Sequence, residues 1–144
     1  MITAESIMEN RTARDEHGQS ISLFALVIMG ALIITTGLVI DGGQKVTATS
    51  RAESAAAGAS RAAGNAAATQ QLGGGDASSA AVLAAKTYLA GQPSVQGTVS
   101  ITNGVVVVAT SAQEPTIFLS VIGISSIVGR GSARANIVAT GSSR

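Results

Sequence analysis

The stretch ISLFALVIMGALIITTGLVI, residues 21–40, decides the reading of this chain. It runs for about twenty residues without a charge, near the number a helix needs to cross the hydrocarbon core of a bilayer. Its polar members Ser22, Thr35 and Thr36 carry hydroxyls that can bond back to the preceding helical turn. Charges bracket the run: Arg14, Asp15, Glu16 and His17 before it, Asp41 and Lys45 after it. A soluble chain of 144 residues could hardly surround so long an all-apolar helix. A cleaved secretory signal fits poorly, because the apolar region is long and starts only after about twenty polar residues. The stretch predicts a transmembrane helix from Ile21 to Ile40.

Working outward, residues 1–20 read as a cytoplasmic arm, 41–72 as an Ala-rich helical stalk and 73–144 as an extracytoplasmic α+β domain. Basic residues do not set the orientation, since Arg11 and Arg14 before the span balance Lys45 and Arg51 after it. The short arm and the long body favour N-in, C-out.

Composition agrees with an anchored protein. Charged residues make up 12% of the chain, about half the usual share, while 46% of positions are apolar. The apolar residues are mostly Ala, Val and Ile, with two Phe, one Tyr and no Trp. Such side chains bury little area each. Disorder is excluded, because it goes with low hydrophobicity and high net charge. The net charge is +1 without a basic run, so neither phosphate neutralisation nor base stacking has its residues. Nucleic acid is therefore not an expected partner. The lack of cysteine removes disulfides, thiolate metal sites and a cysteine nucleophile.

After the span, Ala52, Ala55, Ala56, Ala59, Ala62, Ala63 and Ala66 recur at helical spacing and form a small-residue stripe. Helix from Ile21 to Ala67 would be roughly 70 Å long at 1.5 Å per residue. The stripe permits close backbone approach by another helix, in this chain or in a partner. The plain alternative is a solvated helix, since Ala is also the best helix former. Gln70 to Gly75 is a break. Asp76 reads as the N-cap of a second helix, Ala77 to Ala90, closed by Gly91. Strand-like runs Val95–Thr102 and Val105–Thr110 flank Asn103-Gly104, a pair suited to a type I′ turn. Val95, Val99 and Ile101 share one face; Val105 to Val108 is apolar enough for burial on both. Pro115 can open a short helix ended by Gly123. Ile124 to Ala139 alternates again, with Ile127, Gly129, Gly131, Ala133, Ala135 and Ile137 on one side. The fold class is α+β: a long N-terminal transmembrane helix, its Ala-rich continuation, a second helix and a three-stranded antiparallel sheet.

In these residues the chain resembles the TadE/TadG-like pilus assembly proteins of Tad (tight adherence) secretion systems. The likeness starts at Asp15-Glu16-His17-Gly18 and passes through the apolar helix to the membrane-exit motif Asp41-Gly42-Gly43, followed by Gln44-Lys45. It continues in Arg51-Ala52-Glu53-Ser54-Ala55-Ala56-Ala57, in Pro115-Thr116-Ile117-Phe118-Leu119 with Ile122-Gly123-Ile124, and in Ser132-Ala133-Arg134-Ala135. The resemblance implies a single-span, pilin-like protein of the bacterial cell envelope, non-enzymatic and without cofactor. Its implied partners are other single-span pilin-like or Tad assembly proteins and membrane lipid, in a hetero- or homo-oligomer. In pilin-like members a prepilin peptidase cuts after the glycine, here between Gly18 and Gln19, and a Glu occupies the fifth mature position. That position is Leu23 in this chain. An acid so near the start of a buried span would pair with a neighbouring subunit's new amino terminus. Without it, a static assembly or tip component fits better than a repeating filament subunit.

Other chemical signals are weak. The run Gly37 to Lys45 is a poor phosphate loop, with the Lys too late and no hydroxyl after it. His17, Asp15 and Glu16 form a solvated juxtamembrane cluster rather than a metal site. No histidine follows the span to activate a serine. Asp41 could be solvated at the membrane exit, pair with a partner, or pair with Lys45 four positions on. Arg130 and Arg134 share a strand face with Ser132 and Asn136 and form a candidate docking face. The alternative function is a membrane-tethered extracytoplasmic ligand-binding or sensory module.

Overall fold

The computed structural model describes the backbone of residues 4–137 and the side chains of residues 20–137. It holds a long helix α1 (Ala4–Leu72), a helix α2 (Ala77–Ala90), strands β1 (Val95–Thr102) and β2 (Val105–Pro115), a 3-10 turn (Leu119–Ile122) and strand β3 (Ser126–Asn136). The chain divides into two compact units, Met1–Val39 and Ile40–Arg144.

In the first unit the described residues are helix. Large apolar side chains point outward all round it: from Ile21 to Val39 those of the exposed class keep 45–72% of their surface. The hydroxyls of Thr35 and Thr36 donate to the carbonyls of Ala31 and Leu32, both at 2.8 Å. Their polar groups are thus satisfied inside the helix, as an apolar solvent requires. α1 is the one described helix long and apolar enough to cross a membrane.

The second unit contains the rest of α1, α2 and the sheet. The long helix ends where three glycines follow Leu72, and Gly74 takes a left-handed φ of 72°. Asp76 then caps α2, accepting from the backbone N–H of Ser78 at 3.0 Å and Ser79 at 3.2 Å. The strands form an antiparallel meander in the order β1-β2-β3. Asn103 (φ 52°) and Gly104 (φ 73°) make the tight hairpin turn between β1 and β2. The sheet is therefore the predicted one.

Three sequence expectations change. β2 continues past Thr110 to Pro115, because β3 pairs with it along its whole length, from Val105↔Asn136 to Pro115↔Ser126. The short helix expected from Pro115 is a 3-10 turn, ended at Gly123 with φ 91°. Of the Val105–Val108 run only Val106 and Val108 are fully buried, while Val105 and Val107 are partly exposed. Both helices lie on one side of the sheet, so alternation decides the matter.

The core lies between that inner face and the helices. It is built from Ala52, Ala55, Ala56, Ala59 and Ala63 of α1, Ala81, Ala85 and Leu89 of α2, and Val95, Val106, Val108 and Ala112 of the sheet. Nearly all are small or branched, so the layers must come close for their atoms to touch.

Candidate functional site

Among the described residues no group of three or more His, Cys, Asp and Glu could hold a metal. What the second unit does offer is a tightly docked helix, an apolar loop tied to it by one carboxylate, and an open sheet face.

The helix docks by matching small residues. A Cβ on Gly129 would overlap the backbone of Ala48 and Thr49, and one on Gly131 would overlap that of Ala52 and Glu53. The helix backbone thus rests directly on the backbone of β3. Gly58, in the interior of α1, makes room in the same way for the ring of Tyr88 on α2. Thr110 of β2 donates its hydroxyl to the Ala52 carbonyl at 2.7 Å, with the Gly131 carbonyl 3.2 Å away. This buried bond crosses the seam and uses the spare lone pair of a helical carbonyl. Around the rim, Lys45 Nζ donates to the Val128 carbonyl at 2.5 Å, Arg51 pairs with Glu114, and the Gln71 amide donates to the Ile137 carbonyl.

The alanine stripe faces this seam. Ala52, Ala55, Ala56, Ala59 and Ala63 are buried there, with Ala48 and Ala67 extending the row, while Ala62 and Ala66 are half-buried at its margin. Its cover is the sheet and α2 of the same chain. The segment 41–72, expected as a separate stalk, shares one unit with the sheet. The alternation of β3 puts the strand glycines that receive it on the inner face. Their role was visible only as a second row of small residues, Gly129, Gly131, Ala133 and Ala135, that a row of alanines could meet.

Asp41, Gly42 and Gly43 differ sharply from one another. The two glycines are exposed, with open space where a Cβ would stand. Asp41 is only 1% exposed. Its Oδ1 accepts from the Ile117 N–H at 2.8 Å and its Oδ2 from the Leu119 N–H at 2.6 Å. Neither solvent nor Lys45 is its partner. The Ile117 N–H above all holds its carboxyl below the usual carboxylate range; burial opposes this, and the N–H groups of Leu119 and Phe118 add to the lowering. One side chain thereby ties the start of the second unit to the loop after β2. It supplies the 3-10 turn with the acceptor that Phe118, at its N-terminal end, does not.

The outer sheet face is open. Arg130 and Arg134 are exposed there, opposite Ser111 and Val107 of β2. The acidic residues whose side chains are described, Asp41, Glu53, Asp76 and Glu114, lie off this face. Among the described residues, neither guanidinium group pairs with a carboxylate. The candidate processing junction at Gly18 and Gln19 lies outside the residues whose side chains are described.

No curated protein and no solved structure gives a significant match to the chain. Residues 18–68 match the family model described as "Putative Flp pilus-assembly TadE/G-like". The matched stretch starts at Gly18 and takes in the apolar run, Asp41 and the buried alanines of α1. An N-terminal apolar helix and this match together fit a membrane-anchored envelope protein. From Gly18 through Ala68 the chain is similar to TadE/G-like proteins of the Flp pilus-assembly type, and this similarity supports a component of a Tad system.

Proposed function

We propose that the protein is a non-catalytic, single-span subunit of a Tad-type pilus or secretion assembly, acting as a minor pilin-like or assembly component. The observation that carries this reading is the match of residues 18–68, combined with an apolar run whose large side chains stay exposed among the described residues. In this reading residues 21–40 lie in lipid, the N-terminal arm is cytoplasmic, and the sheet unit is displayed on the other side. The alanines are occupied within the chain, so they are not the surface that meets partners. The outer sheet face is, with Arg130 and Arg134 set against acidic groups on other single-span subunits. Charges placed in this way select partners and register more than they add raw affinity.

Two measurements test it. Affinity purification from gently solubilised native membranes should recover other single-span pilin-like proteins. Arg130→Glu combined with Arg134→Glu should abolish that recovery without lowering expression. Recovery of no such protein, or recovery indifferent to the charge reversal, would overturn the respective half of the proposal. Intact mass of the native protein decides processing: loss of residues 1–18 marks a peptidase substrate, and full length marks a retained arm.

A further inference from the structure

The loop between β2 and β3 lies in an uncharged stretch: no charge occurs from Pro115 to Gly129. Within it Ile117, Val121, Ile122 and Ile124 are 56%, 84%, 72% and 46% exposed. Four large apolar side chains on one short loop are an unusual load for a surface in water. The loop is also well satisfied internally. Backbone bonds join Val121 to Phe118, Gly123 to Ser120 and Ile124 to Leu119, at 3.0–3.1 Å. The Thr116 hydroxyl donates to the Ile124 carbonyl, and the Ser120 hydroxyl to that of Ile117 at 2.5 Å. Few polar groups would lose water if the loop entered an apolar medium.

Its attachment points to that medium. Asp41, which holds the loop by two backbone N–H groups, is the residue immediately after Ile40, where the uncharged run ends. We infer that the Thr116–Ser125 loop is a second membrane contact, with Ile117, Val121, Ile122 and Ile124 seated in the lipid interface beside the point where the helix leaves the bilayer. The occupant of this apolar surface is lipid, because the residue that holds the loop, Asp41, directly follows a segment whose own cover is lipid. The inference rests on the reading of residues 21–40 as a bilayer span. Its effect would be to hold the sheet unit at the membrane surface through two points instead of one.

The chain has no native cysteine, so single labels can be placed in the full-length protein. Val121→Cys, Ile34→Cys and Ser111→Cys, each carrying an environment-sensitive fluorophore, would be reconstituted in phosphatidylcholine–phosphatidylglycerol vesicles containing nitroxide lipids at shallow or deep positions. The expected result is loss of Val121 fluorescence to shallow nitroxides, at a depth of roughly 5–10 Å. Ile34 should be quenched by deep nitroxides and Ser111 by neither. Quenching at Ile34 without quenching at Val121 overturns the loop contact and leaves the span intact. A blue-shifted but unquenched Val121 label means that protein covers the loop, and it overturns the inference equally. An unquenched Ile34 removes the span itself.

Discussion

Two stretches of the same helix use apolar residues in opposite ways. From Ile21 to Val39 the large apolar side chains point outward and stay exposed among the described residues. From Ala48 to Ala67 the inward side chains are the smallest available, and those of Ala48, Ala52, Ala56, Ala59 and Ala63 are 0% exposed. Size and burial run against each other. A large side chain gains most from leaving water, but it can gain that from lipid without a shaped partner. A small one gains little by area and contributes by letting two backbones touch, which demands a specific surface on the other side. The first stretch therefore specifies a solvent, and the second specifies a partner surface, here the glycine-bearing strand β3.

The largest break in this comparison should come from the receiving strand. Gly131→Leu would drive a branched side chain into the backbone of Ala52 and Glu53. It should destabilise the second unit by about 3 kcal/mol in a denaturation curve taken in detergent. Ala59→Leu attacks the same seam from the helix and should cost about 2 kcal/mol. The equally drastic Ile33→Ala, in the outward stretch, should leave the stability of the second unit unchanged.

Asp41 offers a smaller, pH-dependent test. Its folded pKa lies below its ordinary value, so its contribution to stability is fully present above about pH 4. That contribution is lost as pH falls through the folded pKa. Asp76, lowered first by the Ser79 hydroxyl, titrates in the same direction. Asp41→Asn should therefore flatten the acid limb of the stability profile only in part, while Asp41→Asn with Asp76→Asn should flatten it further. A limb unchanged by Asp41→Asn would mean that its bonds to Ile117 and Leu119 do not hold the loop.

The smallest effect has the opposite sign. Gly43 is exposed in mid-helix with open space where its Cβ would be. Gly43→Ala should stabilise the helix by up to roughly 1 kcal/mol, read as a rise in denaturation midpoint. A loss instead would show that this glycine meets another molecule.

Much of this was legible from local signals. Asp76, Gly91 and Asn103-Gly104 mark the ends of α2 and the hairpin because caps and tight turns depend on residues adjacent in the chain. The apolar run is recognisable as a candidate span for the same reason, since length and charge are properties of the segment alone. The alternation in Ile127 to Ile137 placed Gly129 and Gly131 on the inner face. The candidate site was less legible. Whether the alanines face a sheet, a helix or a partner depends on where β3 returns, some eighty positions later. Asp41 is the clearest case. In sequence it is an acid at the end of an apolar run, with Lys45 one turn away. Only folding brings the N–H groups of Ile117 and Leu119 to its two oxygens, because a carboxylate's partner is set by which donors the tertiary structure leaves unpaired within reach.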